Sequence, residues 1–321
     1  MSKFFSIGEA LIDFVPSKIG VQLKKVPSFT KTAGGAPANV CACLAKQNID
    51  SKFIGKLGDD AFGDFLLDTM NSVGIDTSFV SKTDEANTAL AFVSLKEDGD
   101  REFSFYRKPS ADMLLNQDEI IEDWFSKGDF LHFCSVNLIE APVKYAHIKA
   151  IESVKKNGGV VVFDPNLRFP LWDDLDALRQ TVLQFANYAD IIKISDNELE
   201  FITGTADVKA AANMMFKKGI KVFLYTMGKD GARVITKDVD VTCDGFEIKA
   251  VDATGAGDAF IGGFISCIIS GAIDYANMDS DICEKLLTFA NACGAIVATK
   301  HGAIMSMPTT KEVLAFIEKN N

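Results

Sequence analysis

The run Val251-Asp252-Ala253-Thr254-Gly255-Ala256-Gly257-Asp258-Ala259-Phe260 carries the densest chemistry in the chain. A glycine-flanked turn delivers one carboxylate to the head of an apolar helix that runs to about Ser270. Gly255 and Gly257 can take backbone angles closed to other residues, and without Cβ atoms they let a ligand approach the main chain. The first N–H groups of a helix have no partner within it and lie at its positive dipole end, which suits an anion. Asp258 is therefore a candidate base beside a candidate phosphate cradle. The same pattern also fits an ordinary N-cap Asp after a tight turn, and this segment alone leaves both readings open.

Other polar groups fall where strands end or helices begin. Gly8-Glu9-Ala10-Leu11-Ile12-Asp13 places an acid at a strand's end, and Ala33-Gly34-Gly35-Ala36-Pro37-Ala38-Asn39 is a glycine turn into a helix with Asn39 in its first turn. Asp164-Pro165-Asn166-Leu167-Arg168 follows an apolar strand. Ligands of open parallel sheets bind beyond the carboxyl ends of the strands. A carboxylate, an amide and free backbone donors suit sugar hydroxyls, which both donate and accept. In Asn197-Glu198-Leu199-Glu200, the side chains of Asn197 and Glu200 lie three apart on one helical face, a spacing at which oxygen ligands could hold hydrated Mg²⁺. Taken singly, each of these also reads as capping or a solvated surface.

Several chemistries are excluded. There is no GxxxxGK[ST] phosphate loop, and Phe260 stands where a dinucleotide fingerprint needs its third glycine. There is no HExxH, and His132, His147 and His301 fall on a strand, a helix and a loop, where a structural role is expected. The net charge of −11 argues against nucleic acid or an anionic membrane as partner. It leaves room for a phosphorylated ligand held by Mg²⁺ and local N–H groups. The seven cysteines form no CxxC pair and are odd in number, which suits reduced thiols in the cytoplasm. Met1-Ser2-Lys3-Phe4-Phe5 shows no signal peptide. The most apolar stretch, Ala259 to Ile273, is shorter than the ~18 residues of a spanning helix and reads as a buried core helix.

The elements that must position these groups alternate. Phe4–Val15 reads as a strand, Pro37–Gln47 as a helix, Lys52–Gly55 as a strand and Asp60–Val73 as a helix. The apolar runs Phe130–Phe133, Val160–Phe163, Ile191–Ile194 and Val222–Thr226 are separated by helical patterns at about 141–157, 173–187 and 196–218. Helices near 258–271, 281–299 and 309–319 follow. Apolar strands alternating with helices predict a parallel sheet covered on both faces. Val21–Thr30 reads as a strand, and Thr88–Leu95 and Arg101–Arg107 flank the hairpin signal Glu97-Asp98-Gly99-Asp100. These segments lack intervening helices and predict a small antiparallel sheet, with Phe103, Phe105 and Arg107 on one face and Glu102, Ser104 and Tyr106 on the other.

Taken together, the chain resembles the ribokinase-like (PfkB) family of carbohydrate kinases, and within it the fructokinases. Ala33 to Asn39, continuing through Gly55-Lys56-Leu57-Gly58-Asp59-Asp60, and Asp252 to Asp258 carry the resemblance. Asp164-Pro165-Asn166, Asn197-x-x-Glu200 and Thr226-Met227-Gly228-Lys229-Asp230-Gly231 lie between them in the family's order. The resemblance implies one kinase domain over residues 1–321. Its fold would be a three-layer α/β/α arrangement with a central, mostly parallel sheet, plus a β lid drawn from about 15–32 and 88–108. It implies transfer of a phosphoryl group from ATP to a sugar hydroxyl, with Asp258 as general base and the N–H groups of Gly255, Ala256 and Gly257 as anion hole. It further implies that Asp13, Gly34, Gly35 and Asn39 hold the sugar, that Asn197 and Glu200 support Mg²⁺, and that Asn197, Thr226, Gly228, Gly231 and Asn291 bind the nucleotide. A K⁺ site behind the anion hole is implied at Asp252, Thr254, Val297, Lys300, Gly302 and Ser306.

Family ribokinases resemble Gly-Gly-Lys-Gly-Ala-Asn at the first motif, whereas this chain has Gly34-Gly35-Ala36-Pro37-Ala38-Asn39, which argues against ribose. Phe105 to Leu114, and Asp164 to Arg168 followed by Leu171-Trp172, look like a fructokinase. Arg107 and Arg168 could contact a carboxylate or a phosphate, so a 2-keto-3-deoxygluconate kinase or another sugar or nucleoside kinase of the family is the alternative. A sugar-binding protein without catalysis is a third expectation, weakened by the presence of both Asp258 and the glycine turn. Leu90, Phe92, Leu95, Phe103 and Phe105 exceed what a small lid can bury in itself, so a symmetric homodimer formed lid to lid is expected.

Overall fold

A computed structural model of the protein describes residues 2–18, 20–95 and 101–320, apart from the side chains of residues 94–95 and 101–103. Among the described residues, nine strands form the main sheet. Starting from one edge they are β5 (Val80–Thr83), β4 (Ser51–Gly58), β1 (Phe4–Ile7), β8 (Phe130–Phe133), β9 (Val160–Phe163), β10 (Ile191–Ser195), β11 (Val222–Thr226), β12 (Ala232–Ile235) and β13 (Asp240–Cys243). The first seven run parallel, and β12 and β13 form an antiparallel edge. Every residue of β1, β8 and β9 is buried, as expected of strands covered on both faces. Strand β1 pairs with β4 on one side and β8 on the other, so the strand order reverses there and a crevice opens at the carboxyl ends.

One layer is built from α1 (Ala36–Lys46), α7 (Ala256–Ser270) and α8 (Ser280–Ala298), flanked by α2 (Ala61–Ser72) and α9 (Thr310–Asn320). The other is built from α3 (Pro142–Lys156), α4 (Leu175–Phe185), α5 (Asp196–Thr203) and α6 (Val208–Phe216). The apolar stretch from Ala259 is the core helix α7, held between α1 and α8. It approaches them at Gly262 and Gly263, where a Cβ would press on Cys43 and Cys293.

A second sheet has the order β3 (Phe29–Gly34), β2 (Leu11–Pro16), β6 (Leu90–Leu95), β7 (Arg101–Tyr106). Here several expectations change. The single strand expected over Phe4–Val15 is two strands in two sheets. Gly8, at φ 149°, turns the chain, and Gly8-Glu9-Ala10 joins β1 to β2. The strand expected over Val21–Thr30 begins only at Phe29. Exposed residues and a short 3₁₀ turn, Leu23–Lys25, occupy most of that stretch, and the strand runs on into the glycine turn because Leu11 pairs with Gly34. The small sheet therefore uses residues 11–16 and 29–34 rather than 15–32. The hairpin strands pair as expected, Ala91 with Phe105, while Glu97-Asp98-Gly99-Asp100 lies outside the described residues. The helix expected over 196–218 is broken by Gly204, a left-handed cap at φ 74°.

Pairing sorts the small sheet into two faces. Leu11, Asp13, Ala91 and Phe105 share the face toward the main sheet's crevice. Phe14, Phe92 and Tyr106 lie on the other. There Phe14 stacks on Phe92 at 4.7 Å, with Phe29 and Tyr106 set edge-on against Phe92. The Gly58–Asp60 motif anchors this sheet's root. Asp60 caps α2 through Phe62 and Gly63 and also accepts from the Thr88 N–H at 2.8 Å.

Candidate active site

A cavity of about 800 Å³ lies between the two sheets, with Asp258 in its floor. Gly255, at φ 80°, ends the preceding turn in the left-handed region and starts α7 with no side chain capping it. The helix begins two residues earlier than the sequence suggested, so Asp258 is its third residue. It is 6% exposed, and two amides hold its carboxylate. Asn39 Nδ2 donates to one oxygen at 2.8 Å, and Asn166 Nδ2 donates to the other at 3.2 Å. Burial raises the Asp258 carboxyl above the usual range, while the Asn39 bond and the charges of Lys193 and Arg168 pull it back. Such an arrangement fixes a carboxylate in rotation and makes it a stronger base than an exposed carboxylate. The Ala256 N–H turns back to Ala253 O at 3.2 Å, leaving the anion-facing positions to Gly255 and Gly257, which both line the cavity.

Asp13, Gly35, Ala36 and Asn39 form the opposite wall. A Cβ on Gly34 would land on the Asp13 carboxylate, and one on Gly35, at φ 108°, would run into the Glu9 backbone. The glycine pair is thus required by close packing of the turn on the Glu9–Ala10 connection and the start of β2. Glu9 also enters the cavity wall. Its Oε1 accepts the Ala36 N–H at 3.2 Å, its Oε2 is buried with no hydrogen-bond partner among the described residues, and burial pushes its carboxyl up to about 7 against the pull of Arg107.

Beneath the far wall, Lys193 Nζ donates to both oxygens of Asp164, at 3.0 and 2.9 Å. Lys193 stays protonated because Asp164, Glu198 and Asp258 surround it, outweighing burial. Asp164 is pushed up to about 7 by burial, against the pull of Lys193. The nearby carboxylate on α5 is Glu198. Its Oε1 accepts the Leu167 N–H at 2.6 Å, and its Oε2 accepts the Ser195 N–H and hydroxyl. Asn197 and Glu200, the expected Mg²⁺ pair, are both exposed and do not line the cavity. One or two helical steps, at about 100° each, separate them from the inward position that Glu198 holds.

Arg168 lines the cavity, and its Nη1 donates to Leu167 O at 3.0 Å. Arg107, the other expected arginine, does not line it. It is 4% exposed and paired with Asp112, which also accepts from Asn137 at 2.8 Å. Asp112, which accepts from Arg107, Ser110 and Asn137, ties the residue after β7 to its surroundings rather than to the cavity wall.

The expected nucleotide residues gather at a separate edge. Thr226 ends β11, and Gly228 and Gly231 (φ 57° and 96°) bracket a 3₁₀ turn. A Cβ on Gly231 would meet the backbone of Cys243, Asp244 and Gly245. Asn291 on α8 donates to Cys243 O and Asp244 O at 3.3 and 3.1 Å. Residues 242–247 border a groove of about 610 Å³ there. The two segments expected to hold K⁺ also lie together. The Val251 and Asp252 N–H groups donate to Ala298 O, and Ala303 and Met307 pack behind Gly255. Val297 is buried, and Ser306 donates to Ala303 O. The Lys300 ammonium instead faces Glu312 at 3.6 Å, so only its carbonyl is suited to a cation.

Residues 1–310 match the model of the pfkB family carbohydrate kinases. The chain belongs to this family. It is 42% identical to fructokinase-1 of Zea mays, over 98% of this chain and 97% of that one. It is 42% identical to probable fructokinase-2 of Arabidopsis thaliana, over 98% and 95%. A fructokinase from Vibrio cholerae O395, solved with fructose, ADP and calcium, superimposes with a TM-score of 0.89 at 34% identity, over 99% of each chain. Aminoimidazole riboside kinase from Salmonella enterica, solved with its riboside and an ATP analogue, gives 0.86 at 29% identity, over 98% and 100%.

In this pfkB kinase the fold brings three groups to the cavity wall, Glu9, Asn166 and Lys193, and a fourth, Glu198, just behind it, none of which the motifs alone marked for a role. Asn166, Glu9 and Glu198 lay inside quoted motifs but were given no role. Lys193 had a signal of its own, the lone charge in Ile191-Ile192-Lys193-Ile194. A cation in a strand buried on both faces needs a partner, and its partner lies 29 residues away.

Proposed function

We propose that the chain is an ATP-dependent fructokinase, one kinase domain over residues 1–321 with the small sheet as lid. The observation that carries this reading is Asp258. It is a buried carboxylate oriented by two amides at an uncapped helix N-terminus, facing Asp13 across a cavity sized for a sugar and the end of a triphosphate. Phosphoryl transfer requires positioning and charge stabilisation more than covalent chemistry from the protein. Asp258 takes the proton of the attacking hydroxyl, and the α7 N-terminus at Gly255–Gly257 receives the phosphoryl oxygens. Asp13 and the Gly34-Gly35 turn hold the sugar's other hydroxyls, and Phe105 covers it from the lid. The nucleotide base lies toward Thr226, Gly228, Gly231 and Asn291.

The residues present fit both metals. Glu198 keeps one lone pair beyond its three hydrogen bonds and lies near Lys193 and Asp164, so it suits a hydrated Mg²⁺ better than Asn197 and Glu200 do. Mg²⁺, when bound, neutralises phosphate charge. The donors at Asp252, Thr254, Val297, Lys300, Gly302 and Ser306 are oxygens, which suit K⁺. The acceptor preference follows the relatives named fructokinase. An ADP-release assay across fructose, ribose, glucose, 2-keto-3-deoxygluconate and adenosine tests it. Turnover with fructose at the highest kcat/KM is expected, and preference for another acceptor refutes it.

The outer face of the lid, with Phe14, Phe29, Phe92 and a Tyr106 that is 62% exposed, suits a symmetric homodimer. Sedimentation giving only the mass of one chain at micromolar concentration and full activity refutes that. Seven free cysteines and a structure in which no described helix is long and apolar enough to cross a membrane support a cytoplasmic setting.

A further inference from the structure

We propose that Lys193 is a further catalytic residue, whose ammonium binds the phosphoryl group in flight between ATP and the sugar. This rests on the sugar-kinase reading above. Lys193 is 5% exposed, lines the cavity and sits on a strand whose other residues at that depth, Ile192 and Ile194, are apolar. A buried ion pair adds little stability over apolar side chains of the same volume, so stability alone is a weak reason for one at this depth. Its position is more informative. A Cβ built on Gly257 would lie 3.4 Å from Lys193 Nζ, so the ammonium touches the first turn of α7. Two positive ends, the helix N-terminus and the ammonium, thus converge on one side of the cavity. That arrangement serves an anion between them.

Asp164 takes up hydrogen bonds from Nζ with both oxygens, and among the described residues no other acceptor is bonded to it. An ammonium has three donors, which leaves one for a ligand. Among the described residues that line the cavity, the cations are Lys193 and Arg168, and Arg168 Nη1 is turned to its neighbour's carbonyl. In the transfer, the bond from the γ-phosphorus to the β–γ bridging oxygen breaks and a bond to the sugar oxygen forms. The hydroxyl proton passes to Asp258, and ADP leaves with the bridging oxygen and its electron pair. While both bonds are partial, the charge of the moving group is spread over its three equatorial oxygens in a planar arrangement, and an ammonium fixed to meet that arrangement stabilises the transition state more than either ground state.

The competing role is an ion pair that only positions Asp164. Two variants separate the two. Lys193→Arg keeps a cationic partner for Asp164 but replaces the compact ammonium beside Gly257 with a wider guanidinium, at a place where a Cβ on residue 257 would already lie 3.4 Å from Nζ. Lys193→Gln with Asp164→Asn removes both charges and keeps a hydrogen bond. For each, kcat, the KM for fructose, and the calorimetric affinities for MgADP alone and for MgADP with tetrafluoroaluminate are measured, with fructose present. Both variants are expected to hold MgADP and fructose within about twofold. They are expected to lose kcat and affinity for the fluoroaluminate complex together, by roughly 10²- to 10³-fold for the double variant, the usual effect of one oxyanion donor, and by at least about tenfold for Lys193→Arg. Affinity for the fluoroaluminate complex that is unchanged, or that falls only as far as MgADP alone, overturns the proposal. Should the double variant fail to fold, Lys193→Arg decides by the same criterion. A wild-type chain inactive on every sugar overturns the kinase reading, whereas an active wild type with an unimpaired Lys193→Arg overturns only the role of Lys193.

Discussion

Asp258→Asn separates the chemical role of this residue from its structural one. The carboxylate accepts from two amides, Asn39 at 2.8 Å and Asn166 at 3.2 Å. An asparagine offers one oxygen and one NH₂, so one of these amides faces another donor. The shorter bond, to Asn39, should be kept and the longer one lost. A hydrogen bond to a charged group contributes about 1.5–3 kcal/mol. Against that loss, the neutral amide avoids the cost of burying a carboxylate whose charged form is disfavoured by its surroundings. The two effects oppose, so net destabilisation is expected to stay under about 2 kcal/mol, with a melting shift of a few degrees. The barrier changes far more. Loss of a positioned base costs about 10²- to 10⁴-fold in turnover, roughly 3–5 kcal/mol at about 1.4 kcal/mol per tenfold. The assay pairs a thermal melt with kcat and the KM values for ATP and fructose. A folded Asp258→Asn protein with kcat within threefold of wild type would refute the assignment of the base.

Four further outcomes are expected. Asp13→Ala should raise the sugar KM by roughly 10- to 100-fold, from about 1.5–3 kcal/mol of lost charged hydrogen bonding, and leave the ATP KM near its original value; equal changes in both would make Asp13 structural. Burial pushes the Glu9 carboxyl up to about 7 from an ordinary 4.5, so the native state binds the extra proton between these values. Its contribution is full below about pH 4.5 and is lost as pH rises through 7, about 3 kcal/mol in all. Urea melts of Glu9→Gln should therefore gain on wild type across that window, and parallel stability curves would contradict the argument. Gly257→Ala should preserve or slightly raise the melting temperature, since alanine favours a helix by about 0.5–1 kcal/mol, yet it should cut turnover by crowding the anion site; Gly35→Ala, at φ 108° against the Glu9 backbone, should instead lose the fold. Replacing K⁺ with a bulky organic cation at constant ionic strength should slow turnover, and equal rates would remove the cation site.

Periodicity and turn chemistry made much of this fold legible. Apolar runs such as Val160–Phe163 could only be strands covered on both faces, and the helices between them set the parallel direction. Local rules also marked the Gly255–Asp258 turn and the start of α1, because glycine positions and helix starts are decided within a few residues. Where two solutions had the same local pattern, the chain alone could not choose. Phe4–Val15 is continuously strand-like, and only the positive φ at Gly8 and pairing with different neighbours divide it between sheets. Likewise, Asn197-x-x-Glu200 and Ser195-x-x-Glu198 have the same spacing on one helix, and the burial of Glu198 against Leu167 decides which face looks inward. The geometry of the base was beyond local reading for the same reason. Asn39 and Asn166 are 219 and 92 residues from Asp258 in the chain, and Lys193 meets Asp164 from the next strand. Sequence therefore determined which residue types were available at the ends of strands and helices. Tertiary packing decided which of them share a cavity, since hydrogen bonds and desolvation act over a few ångströms of space regardless of separation along the chain.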